Sequence, residues 1–196
     1  MTILEDGQGS GKKQKVNAEN RAAVAAITQS ELAHSTERNG RFNINTGDVS
    51  LTSDNASAVL YLKNNETTDI HINTIIVILG ASTGGSGDAS INAYKNPTGG
   101  TIISSPTDVD ININQNFGSN DPLIADVYKG AEAKTLTGGD LFLASRQSAG
   151  GIDRIVLDSI ILPKGTELGV TITPPTGNTN MDVQIALALY LKDFST

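Results

Sequence analysis

Val183, Ile185, Leu187, Leu189 and Leu191 place an apolar residue at every second position, with Asp182, Gln184, Ala186, Ala188, Tyr190 and Lys192 between and after them. Successive side chains of an extended chain point to opposite faces, so a period of two specifies a strand with one buried face. The other face is left polar or available to a neighbour. Shorter stretches of the same kind occur at 49–52, 58–63, 69–79, 89–95, 107–114, 140–146, 152–162 and 167–173. Clusters of Gly, Pro, Asn or Asp separate most of them. About nine or ten strands predict an all-β, two-sheet β-sandwich, with the jelly roll and its eight core strands as the expected version. A Greek-key sandwich of another topology stays open.

One strand stands apart. In residues 69–79, Ile76 and Ile78 point one way and Ile75, Val77 and Leu79 the other, so both faces are apolar near its end. Burial on both sides calls for a second cover, from an amino-terminal helix or another subunit. On this reading Ile75, Val77 and Leu79 are assigned to a subunit interface.

The first 41 residues have a different character. Gly7, Gly9 and Gly11 precede the basic cluster Lys12, Lys13 and Lys15 with little apolar content, so residues 1–19 read as a flexible Gly-rich basic arm. Residues 20–41 read as a linker and short helix. Thr28 and Glu31 have the spacing of a capping box, which favours a helix from about Gln29 to Arg38. Asn39-Gly40 then supplies residues able to adopt the left-handed conformation that ends helices. The sandwich domain takes up residues 42–196.

Charge separates the two parts again. Residues 1–41 hold six basic side chains against five acidic ones, whereas the remainder holds eight against sixteen. An acidic body repels nucleic acid, and three lysines do not reverse that at physiological salt, so no nucleic-acid partner is expected. No apolar stretch reaches the length of a signal peptide or a membrane span, so neither secretion nor a membrane partner is expected. The absence of Cys excludes disulfides and thiolate metal sites, and it suits assembly in a reducing cytoplasm.

Candidate chemistry is thin. Gly7-Gln8-Gly9-Ser10-Gly11-Lys12-Lys13 looks like a phosphate loop, but that motif needs Gly where Asp6 stands and Ser or Thr where Lys13 stands. Asp108, Asp110, Asn112 and Asn114 alternate with apolar residues, and an EF-hand would need Gly in place of Ile113 and Glu in place of Ser119. They read better as the solvent face of a strand, the other possibility being a calcium ion shared between subunits. His34 and His71 are the only histidines, and both read as structural. There is no Gly-x-Ser-x-Gly elbow. The expectation is no catalytic residue, no metal and no cofactor.

The strings TGGTIISS, NQNFGSNDPLIADVYKG, LTGGD, RQSAGG and ILPKGTELGV follow one another through residues 98–170, after NINTGDVSLTSDNASAVLYLKNNE near the start. In this order the chain resembles a family of tailed-bacteriophage virion structural proteins, of head-decoration or fibre-like type. The resemblance implies a non-enzymatic virion protein, made in the bacterial host cytoplasm and carried on the particle. The expected role is capsid decoration or head association, with Lys12, Lys13 and Lys15 in the anchoring arm. Expected partners are its own copies, as a homotrimer, and other virion proteins such as the major capsid protein. The alternative is a tail, collar or fibre protein that binds a host-surface glycan.

Overall fold

The structure is a computed structural model that describes Leu4–Glu5, Lys13–Gln14 and residues 30–192, the side chains of 4–5, 13–14, 31–32 and 153–159 excepted. It divides into two units, residues 1–30 and 31–196. In the first, β1 (Leu4–Glu5) and β2 (Lys13–Gln14) form a two-residue antiparallel ladder, Leu4 opposite Gln14 and Glu5 opposite Lys13.

The second unit opens with α1 (Glu31–Glu37). The residues after it close it as their chemistry suggests: Asn39 takes a left-handed φ of 62°, and the Gly40 N–H donates to the Ser35 carbonyl at 2.7 Å. Thr28 of the expected capping box lies outside the described residues. The strands that follow are β3 (Arg41–Asn45), β4 (Val49–Leu51), β5 (Ser57–Asn64), β6 (Ile70–Leu79) and β7 (Asp88–Lys95). After α2 (Thr101–Ser104) come β8 (Ile111–Asn114), β9 (Ala125–Lys129), β10 (Asp140–Ser148), β11 (Ile152–Leu162), β12 (Glu167–Thr173) and β13 (Met181–Leu191).

Two antiparallel sheets result, one in the order β10-β7-β12-β5-β9 and the other β11-β6-β13-β3-β8, with β4 also on β13. The pairings nest. β3 and β4 pair with β13, β5 with β12, β6 with β11, and β7 with β10. Rolled up so that β13 also meets β6 and β12 meets β7, this long double hairpin is a jelly roll. β8 and β9 are an insertion between its innermost strands, and each extends one sheet at the same lateral side.

The core between the sheets is aliphatic apart from Phe42. Residues 183, 185, 187 and 189 of β13 are buried in it, as the alternation predicts. Ile75, Val77 and Leu79 are buried in it too, while Ile76 and Ile78 face outward and are half-buried. The strand buried on both faces is instead β5. Its inner residues Leu60 and Leu62 join the main core, and its outer residues Ala58 and Tyr61 pack under Ile102 of α2.

That second helix was not expected, since Thr-Ile-Ile-Ser has β-branched residues that favour strand. Gly100 starts it at φ 119°, and Thr101 and Thr135 exchange bonds, each backbone N–H donating to the other's Oγ1 at 3.0 and 2.8 Å. The close approach beside it depends on Gly130, where an added Cβ would lie 1.6 Å from the Ala58 carbonyl oxygen. Gly130→Ala is expected to cost roughly 1–3 kcal/mol by forcing β9 off β5. Chemical denaturation of the variant against the parent chain measures it.

Candidate functional site

The loop from Asn114 to Asp121 carries the most exposed large apolar side chain among the described residues, Phe117 at 94% exposure. Its polar string is a turn-forming one, and the side chains hold the turn in place. The Asn116 N–H donates to Asn114 Oδ1 at 2.8 Å, the Ser119 N–H to the Asn116 carbonyl at 2.8 Å, and the Asp121 N–H to Ser119 Oγ at 3.1 Å.

Longer-range bonds tie the loop to the body. Asn114 Nδ2 donates to the Asn39 carbonyl at 2.6 Å, Asn116 Nδ2 to Asn39 Oδ1 at 2.7 Å, and Asn39 Nδ2 to Asp121 Oδ2 at 2.7 Å. On the far side Glu66 Oε1 accepts the Ile124 N–H at 2.6 Å. The left-handed Asn39 that ends α1 is therefore also the hub of the loop. An aromatic ring held out on a pinned loop loses little freedom when it binds, which makes it suited to be an anchor rather than a catalyst.

The loop sits on the closed side of the sandwich. Just before β8, the Val109 N–H donates to the Val127 carbonyl at 3.3 Å and the Lys129 N–H to that of Thr107 at 2.8 Å, so residues 107–109 pair with β9. The chain then crosses to the other sheet and pairs with β3, making a corner between the sheets. Asp110 at the crossing pairs with Lys129.

The opposite side is open. Between the edge strands β10 and β11 lies a groove of about 470 Å³, lined by Phe142, Ile160, Ile161, Leu162 and Leu168 with Lys95 and Glu167 at its polar part. The exposed large apolar residues divide between these two sides. Ile111, Ile113, Phe117 and Ile124 belong to the β8/β9 side, and Leu141, Phe142, Ile152 and Ile161 to the β10/β11 side.

Three of the four tyrosines lie in one register row across the outer face of the five-stranded sheet: Tyr94, Tyr61 and Tyr128, with Gly169 between the first two. The row is roofed. Tyr61 is buried and stacks on Tyr128 at 5.6 Å, and a Cβ on Gly169 would meet Leu136 Cδ2 at 2.4 Å. Burial, and then the Glu167 carboxylate, push the Tyr61 phenol above its ordinary range. Tyr61 and Tyr128 belong to a small second core with Ala58, Ile102 and Leu136, while Tyr94 is half-buried at the end of the row.

The sequence-predicted residues fall as follows. Lys13 is in β2, while Lys12 and Lys15 lie outside the described residues. Ile75, Val77 and Leu79 belong to the intersheet core, so they have no surface to offer a neighbouring subunit. That assignment is corrected; the outward pair on β6 is Ile76 and Ile78. The oxygen-bearing series divides. Asp108, Asp110 and Asn112 are exposed, as a solvent face requires, whereas Asn114, opposite Phe42, is buried, and Ile111 and Ile113 are exposed beside them. Among the described residues no group of three His, Asp or Glu is placed to hold a metal ion. His34 is exposed on α1, and the His71 ring stacks on Tyr190 at 5.0 Å. Sequence reasoning missed Phe117, although a rare aromatic amid Asn, Gly and Ser was a visible signal.

No protein-family model matches the chain, and no curated protein matches it as a relative. A solved structure similar to it is that of tomato aspermy virus, determined by X-ray crystallography. The two are 7% identical over 88% of this chain and 85% of that one, with a TM-score of 0.32. Among the described residues no helix is long and apolar enough to cross a membrane.

Proposed function

We propose that the protein is a non-enzymatic structural component of a phage virion, a capsid decoration or head-associated protein that assembles as a homotrimer. Jelly rolls serve capsids, lectins and cupins alike, so the fold by itself names no activity. The observation that carries the reading is the display of Phe117 on a loop braced by Asn39, Asn114, Asn116 and Asp121. Polar side chains there are spent on holding an apolar anchor outward, which is what a protein-contact surface needs. The resemblance of the ordered sequence strings to tailed-phage virion proteins supports the same reading. Residues 1–19, with Lys12, Lys13 and Lys15, serve as the anchor to other virion proteins such as the major capsid protein.

Deleting residues 1–19 is expected to leave the melting temperature of the body within a degree or two while abolishing incorporation into particles. Thermal melts and a particle-binding assay check the two halves of that expectation. Normal incorporation of the shortened chain would remove the anchor, and purified virions unlabelled by an antibody to the protein would remove the virion reading itself.

A further inference from the structure

We propose that copies of this chain associate head to tail, with Phe117 of one copy seated in the groove between β10 and β11 of the next. The inference deepens the reading of the protein as a self-assembling virion part and rests on it.

Shape is the first argument. Phe117 projects from the closed side of the sandwich at 94% exposure. The groove on the opposite side has about 470 Å³, within the range of roughly 300–1,000 Å³ that ordinary binding pockets occupy. Its mouth is made of Phe142 and Ile161, exposed by 42% and 46%. A knob and a hole on opposite sides of one body make a heterologous contact, the kind that closes into a ring when the rotation between copies divides a full turn.

Charge decides between this and a symmetric contact of like sides. Residues 108–129 hold Asp108, Asp110, Asp121 and Asp126 against Lys129, whereas residues 140–164 hold three acidic and three basic side chains. Joining two knob sides would bring two segments of net −3 together. Joining knob side to groove side puts the −3 segment against a neutral one, with Lys95 and Glu167, one charge of each sign, also lining the groove. The trimer proposed above is then a ring closed by three such contacts.

The test uses the full chain and two surface variants, Phe117→Ser to remove the knob and Ile161→Asp to block the hole. Analytical ultracentrifugation should show self-association of the parent chain, weakened about 30-fold or more in either variant. Melting temperatures of the variants should match the parent, since both positions are exposed. An equimolar mixture of the two variants should form dimers and nothing larger, because it contains one intact knob and one intact hole.

A parent chain that stays monomeric at every soluble concentration overturns the proposal, as does a Phe117→Ser chain that associates like the parent. A mixture that remains monomeric rules out the head-to-tail geometry. If the parent is monomeric and Phe117→Ser instead loses capture by purified particles, Phe117 is an anchor for another virion protein, and the reading as a virion component survives without the trimer and without this contact.

Discussion

Val77→Asp is expected to unfold the body, whereas Ile78→Asp one position away is expected to cost about 1 kcal/mol or less. Val77 lies on the inner face of β6 with no exposed surface, opposite Ile185 of the central strand β13. A carboxylate there has neither water nor a cation, and the penalty is at least about 4 kcal/mol. That is comparable to the whole stability of a small domain, roughly 5–15 kcal/mol. Ile78 faces outward and is half-buried, so an aspartate can turn its charge toward solvent. Urea titration followed by circular dichroism separates the two, and similar losses at both positions would mean that the faces of β6 are misassigned.

Asn64→Asp is expected to destabilise the protein by roughly 3–5 kcal/mol at pH 7, and by much less near pH 4. Asn64 is completely buried at the end of β5. Its Nδ2 donates to the carbonyls of Thr68 at 3.0 Å and Leu162 at 2.7 Å, and its Oδ1 accepts the Glu66 N–H at 2.7 Å. One amide thus joins β5, the end of β11 and the turn before β6. A carboxylate keeps the acceptor but turns the two donations into contacts between oxygens, so its folded pKa must rise above the value of about 3.9 in the unfolded chain. The stability difference from the parent then grows as pH rises through the unfolded value and levels off above the folded one. Asn64→Leu, which cannot titrate, should show a loss that does not depend on pH in this way. Equal pH profiles for the two variants would refute the role given to the amide donors.

The sandwich was legible wherever one face of a strand alone is buried. β13 has that property over eleven residues, and its alternation gave its face as well as its existence. The bounds of β11 and β12 also match the sequence expectation, because turn residues flank both. Alternation misled at the end of β8, where pairing with Phe42 of β3 buries Asn114 and leaves Ile111 and Ile113 exposed together with Asn112. Which face of an edge strand meets the core is set by the corner at Asp110, a tertiary fact that a pattern of four residues does not contain. β9 went unseen for a similar reason, as only Val127 of its five residues is buried. The hub at Asn39 was half legible. Its left-handed backbone followed from the helix-ending Asn-Gly pair, but its bonds to Asn114, Asn116 and Asp121 join residues more than seventy positions apart.

The place of β13 also bears on when the protein becomes competent to assemble. It lies between β6 and β3 in the centre of its sheet, yet it is translated after every other strand of the roll. Until it leaves the ribosome, β3 and β4 have no neighbour on that side, and the facing sheet lacks the buried side chains that β13 contributes. Pairing Leu187 with Ile44 closes a loop of more than 140 residues, the sort of distant contact that makes β proteins slow to fold. Until β13 pairs, the facing edges of β6 and β3 stay open, which is the kind of surface that joins unfinished chains wrongly, so correct assembly depends on this last strand docking promptly.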